Sequence, residues 1–122
     1  MLDLRKFVKS FHYAIQGLRY ALRNDQNLRF HFFMAFVVII LSLIFRVNPY
    51  EMGILGVMII LVITTEMLNT SIEQMVDLIT KEHRQEAKIA KDVASGMVLV
   101  SAIGSIIVGI LIFAPHIVRL FH

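Results

Sequence analysis

The chain has 122 residues, 57% of them hydrophobic and only 17% charged, which is more apolar than the about 45–50% of an ordinary soluble domain. The absence of cysteine excludes a disulfide framework and a thiolate metal centre. The net charge of +3 flanks apolar runs, so attraction to anionic lipid explains it better than nucleic-acid binding does.

Residues 4–24 read as an amphipathic helix. Leu4, Phe7, Phe11, Ile15, Leu18 and Leu22 recur at helical spacing, with Arg5, Lys9, Arg19 and Arg23 largely on the other side. A basic face beside a Phe/Leu face suits a helix lying in the headgroup region; the duller alternative is a helix packed on a soluble core. The charges Arg5, Lys6 and Lys9 argue against a cleavable signal.

Three membrane helices are expected next, over about 28–46, 50–80 and 87–114, within a single domain of residues 1–122. The first holds an uncharged run of only fourteen residues, Phe32 to Phe45. Snorkelling of the flanking Arg29 and Arg46 extends it toward the about 20 residues a span needs. Asn48-Pro49 marks a turn and a helix start, since Asn caps and Pro suits the first helical position. The third span, Val93 to Ala114, has twenty-two residues without a formal charge, and Pro115 is expected to end it. Ala94, Ser101, Ser105 and Gly109 lie near one face of it, where small side chains let helices approach in lipid. Three spans make a thin bundle, so self-association is expected. Lys and Arg crowd the N-terminal segment and the 81–91 connection, against Arg46 alone in the other connection. The positive-inside rule puts the N-terminus and the 81–91 loop in the cytoplasm.

The second span carries the chemistry. Glu66, Asn69, Glu73 and Asp77 are spaced 3, 4 and 4 residues apart, which stacks them on one helical face. Acids near a bilayer core are costly and face a bundle interior or a wet cavity; a bound cation would offset the cost. Lys88, Lys91, Asp92 and Ser95 form a second cluster at the head of the third span, and Asn24-Asp25 a third at the end of the amphipathic helix. Oxygen donors without Cys, with the five histidines scattered and no HExxH spacing, favour Mg²⁺ over Zn²⁺. Mg²⁺ held by one or two carboxylates plus phosphates fits phosphoryl transfer. Neither a P-loop nor a protein-kinase Gly-rich loop is present.

Each cluster also has a structural reading. Glu66 alone suits a protonated acid bonded between helices, and Glu73 and Asp77 suit solvated residues at a helix exit. Lys91 with Asp92 suits an interfacial ion pair worth little, and Asp25 a solvated helix end. Convergence of three polar clusters on one membrane face favours a site. A cation-conducting subunit would need acids along the whole membrane depth, and the acids lie at one end; a structural subunit would use them as assembly contacts.

The string EMLNTSIEQMVD over 66–77, followed by AKDVAS over 90–95, resembles the signature of the small prokaryotic diacylglycerol kinase family. GLR over 17–19 and Asn24-Asp25 also match, and the order of segments agrees over nearly the whole chain. NLRFH over 27–31 and the 68–70 context are more similar to the Gram-positive branch, which is associated with undecaprenol kinase activity. The resemblance implies an all-α integral membrane homotrimer in the bacterial inner (cytoplasmic) membrane, with an N-terminal amphipathic surface helix and three transmembrane helices per chain. It also implies composite active sites between subunits, ATP as phosphoryl donor, Mg²⁺, a lipid alcohol as substrate and no nucleic acid. By matching position, Glu66 would be the catalytic base and Asn69 would orient it or the attacking hydroxyl. Asp25 and Glu73 would bind Mg²⁺, with Asp25 departing from the Glu of the enterobacterial pattern. Tyr13, Glu82, Lys91 and Asp92 would handle the nucleotide, although His83-Arg84 depart from the pattern beside Glu82. Ser95 would sit near the lipid, as would Glu66. Undecaprenol is the expected substrate, with diacylglycerol the alternative.

Overall fold

A computed structural model describes residues 1–122. It contains four helices and no strand: α1 (Leu4–Asn24), α2 (Gln26–Ile44), α3 (Pro49–Ile79) and α4 (Gln85–Leu120). The helix ends follow local chemistry. Asp3 caps α1 by accepting from the Arg5 and Lys6 amides. Asp25, with extended backbone (φ −115, ψ 103), breaks the chain between α1 and α2, and its Oδ1 accepts from the Leu28 amide at 3.2 Å. Arg29 then reaches back to the carbonyls of Leu22 (2.8 Å) and Arg23 (2.9 Å), satisfying the orphan end of α1. Arg46 takes the left-handed turn after α2 at φ 53, a conformation that costs a non-glycine residue energy. Asn48 and Glu51 form a reciprocal capping box at 2.8 and 3.1 Å, with Pro49 in the first helical position.

α4 runs through Pro115 to Leu120, so Pro115 does not end the last helix as expected. Proline removes one amide from the ladder and frees the Leu111 carbonyl, a loss that neighbouring helices and local adjustment can absorb in a membrane helix. α2, α3 and α4 are each long and apolar enough to cross a membrane. At about 1.5 Å per residue, the 19 residues of α2 just cross a hydrocarbon core of about 30 Å. The 31 residues of α3 and 36 of α4 overshoot it and must project into the interface.

α3 and α4 share the most extensive seam, α2 packs on α3, and α1 rests chiefly on α2. Ala94 and Ser101 are buried in α4, where small side chains allow close approach, and the Ser101 hydroxyl pairs with that of Thr65 at 3.0 Å. At the far end, His116 Nε2 lies 3.2 Å from Glu51 Oε1, pinning α4 to the capped start of α3. Only 11 residues are buried within the protomer. The apolar side chains that remain exposed suit a chain whose solvent is lipid. Among the buried residues are Glu66 and Asn69.

Candidate active site

The break at Asp25 sets the depth of the site. The Thr70 hydroxyl donates to Asp25 Oδ2 at 2.6 Å, which aligns Thr70 of α3 with the start of α2. Glu66 lies one turn further in, about 6 Å along the helix. It therefore sits just inside the level where the α2 span begins.

Asp25, Glu66, Asn69 and Glu73 come together around one cavity of about 250 Å³, with Tyr20 and Thr70 also on its wall. No lysine or arginine lines it. Glu66 is only 2% exposed and Asn69 6%. The Asn69 amide Nδ2 donates to Glu73 Oε1 at 3.4 Å, while its Oδ1 is buried without a partner. Burial works against charge on Asp25, yet the Glu66 carboxyl, the Thr70 hydroxyl and the first amides of α2 outweigh it and hold Asp25 below its ordinary 3.8. Three acids in one small cavity without a countercharge amount to a strong electrostatic demand for a cation.

The donor set can be tested against Mg²⁺. All its donors are oxygens, one of them an orphan carbonyl, and this suits a hard cation. No three His, Cys, Asp or Glu side chains of the protomer form a metal cluster of their own. Mg²⁺ does not require one, because it is commonly held by one or two carboxylates with the remaining ligands from phosphate and water. The residues therefore fit Mg²⁺ as a partner of a phosphorylated ligand, rather than as a caged structural ion.

A second cavity, of about 510 Å³, opens between the end of α3, the 80–84 loop and the head of α4. Lys81, Arg84, Lys88 and Lys91 line it together with Asp77, Glu82 and Asp92. Lys91 Nζ binds Asp77 Oδ1 at 2.6 Å, Lys88 Nζ binds Asp92 Oδ2 at 2.6 Å, and Arg84 Nε lies 3.3 Å from Glu82 Oε2. Lys91 and Asp92 thus do not pair with each other. Adjacent residues on a helix point about 100° apart, whereas an i,i+4 pair faces together. Glu73 borders the acidic cavity, and Asp77, one turn further along α3, borders this mixed-charge one.

The sequence-derived residues divide accordingly. Asp25, Glu66, Asn69 and Glu73 share the first cavity, and Glu82, Lys91 and Asp92 share the second. Tyr13 and Ser95 are exposed and line neither. Sequence reasoning passed over Thr70, although its place four residues after Glu66 marked it as part of the polar face. It also passed over the pairing of Glu51 with His116, which are 65 positions apart and carry no local pattern.

The fold and site define an all-helical membrane protein with an acidic cavity at one end of its bundle and a mixed-charge cavity beside it. The family described as prokaryotic diacylglycerol kinase matches residues 12–113. The undecaprenol kinase of Bacillus subtilis is 41% identical over 113 residues, 93% of this chain and 92% of that protein. A diacylglycerol kinase of Synechocystis is 37% identical over 91% of this chain and 64% of its own length, and one of Haemophilus influenzae is 30% identical over 90% and 95%. The chain belongs to the prokaryotic diacylglycerol kinase family. It is a membrane lipid kinase that takes its phosphoryl group from ATP.

Proposed function

We propose that the chain catalyses ATP + undecaprenol → undecaprenyl phosphate + ADP, with its acidic cavity facing the cytoplasmic side of the bacterial inner membrane. The observation that carries this reading is the meeting of Asp25, Glu66 and Glu73 around a cavity without a basic residue, at the level where α2 enters the bilayer. The lipid hydroxyl, held at the interface, reaches this cavity sideways. Similarity to the Bacillus subtilis undecaprenol kinase supports undecaprenol as the alcohol. An apolar groove of about 360 Å³, bounded by Phe30, Leu41, Met58, Ile106 and Phe113, runs inward between α2, α3 and α4 and gives a lipid chain somewhere to lie.

In this reading Glu66 accepts the proton of the lipid hydroxyl as its oxygen bonds to the γ-phosphorus, and the bond to the β,γ-bridging oxygen breaks to release ADP. Asn69 orients Glu66 or the attacking hydroxyl through its side-chain amide, whose N–H groups can donate to a carboxylate. Asp25 and Glu73 would hold Mg²⁺, which when bound supplies countercharge for the phosphates. Lys91, Asp92, Glu82 and Tyr13 handle the nucleotide, and Ser95 lies beside the lipid. Lys91 must exchange its bond to Asp77 for phosphate oxygen, a modest change because both partners of that pair are partly exposed.

The two cavities of one protomer are separate, which supports a homotrimer whose sites are completed by a neighbouring subunit. The basic N-terminal helix and the 81–91 loop support a cytoplasmic placement for both. The deciding experiment offers undecaprenol and diacylglycerol side by side to purified protein in micelles with labelled ATP, with and without Mg²⁺. Undecaprenyl phosphate formed only with Mg²⁺ is expected. Preferential formation of phosphatidic acid would overturn the choice of substrate, and transfer to neither lipid would overturn the reaction.

A further inference from the structure

Asp25 carries two structural bonds at once. Its Oδ1 caps α2 through the Leu28 amide at 3.2 Å, and its Oδ2 accepts from the Thr70 hydroxyl at 2.6 Å. It is also the single non-helical residue between the surface helix and the first span, so its position sets how α1 meets the bundle. Thr70 belongs to α3, where the Glu66 carbonyl lies 3.2 Å from the same hydroxyl. A hydroxyl has one proton to give, and the short contact to a carboxylate is the stronger claim on it.

We propose that Thr70 is a positioning residue: its hydroxyl, fixed on α3, holds the Asp25 carboxylate at the wall of the acidic cavity and thereby pins the junction of the surface helix to the bundle. Glu66 and Glu73 stand on α3 itself, so their separation follows from helix geometry. Asp25 comes from another element and has no such guarantee. The Thr70 bond supplies it, and the cap on α2 prevents the carboxylate from rotating away. The consequence for metal affinity rests on the function proposed above; the tie between junction and α3 does not.

The test compares full-length Thr70→Val, which keeps the side-chain shape, with Thr70→Ser, which keeps the hydroxyl. Hydrogen exchange of amides over residues 21–30 is measured in micelles without nucleotide or metal. Mn²⁺ binding is then followed by electron paramagnetic resonance in the presence of a non-hydrolysable ATP analogue. Thr70→Val is expected to speed exchange at the junction and weaken Mn²⁺ binding, each by about tenfold or more, the scale of a lost hydrogen bond to a charged group. Thr70→Ser should restore both readouts. Should Thr70→Val fail to assemble, Thr70→Ala takes its place. Wild-type exchange at the junction in the hydroxyl-free variant would overturn the proposal, as would an equal loss in Thr70→Ser. If wild-type protein transfers phosphate to neither lipid, the function fails, while the exchange experiment still decides the role of Thr70.

Discussion

Glu66 is buried at 2% exposure and faces Asp25 from another element, an arrangement that packing alone would not favour in an apolar bundle. Removing its charge while keeping its shape separates chemistry from assembly. Glu66→Gln is expected to lower turnover by about 10²–10⁴-fold, the usual contribution of a general base, with the oligomer intact by size-exclusion chromatography. Dissociation with retained turnover would instead assign Glu66 to assembly. Asp25 permits a finer separation. Asn caps helices as well as Asp does, so Asp25→Asn should preserve helix content by circular dichroism while raising the Mg²⁺ concentration needed for half-maximal activity. Lys91 contributes a mobile charge, and Lys91→Met should raise the KM for ATP more than it lowers kcat.

The helices owe their ends to side chains and their depth to length. Asn48 and Glu51 close the start of α3 reciprocally, and His116 joins Glu51 from α4. This cluster lies at the end of the bundle away from the acidic cavity. Asn48→Ala should therefore cost about 1 kcal/mol of stability, read as a lower unfolding midpoint in mixed micelles, and leave the KM values for ATP and lipid unchanged. A shifted KM would mean that the two ends of the bundle are coupled. α2 shows how a short apolar run can still span: its helix begins at Gln26, and the polar residues of its first turn reach the interface. α4 makes the complementary point, since its pairing with α3 carries it past Pro115.

At the scale of the whole molecule, a protomer with only 11 buried residues turns most of its apolar surface outward, where lipid or a neighbouring subunit can cover it. Its acidic and mixed-charge cavities adjoin along α3 without merging. If sites are completed between subunits, two impaired variants should complement. At an ATP concentration well below the raised KM of Lys91→Met, mixing Glu66→Gln subunits with Lys91→Met subunits in micelles should give more turnover than either homogeneous protein. No recovery across a range of mixing ratios would place each site within one protomer.

The hydropathy pattern already contained the number and type of the helices, and the 3-4-4 spacing of Glu66, Asn69, Glu73 and Asp77 already contained the polar face of α3. Both are local: helical periodicity and the cost of placing charge in lipid act on neighbouring residues and leave their mark on the chain. Tertiary structure alone decided that Asp25 meets Thr70 across 45 positions, that Lys91 of α4 finds Asp77 on α3, and that Pro115 lies within α4. Those outcomes depend on which helices pack and at what depth, and no short-range pattern encodes the distance between residues brought together by folding.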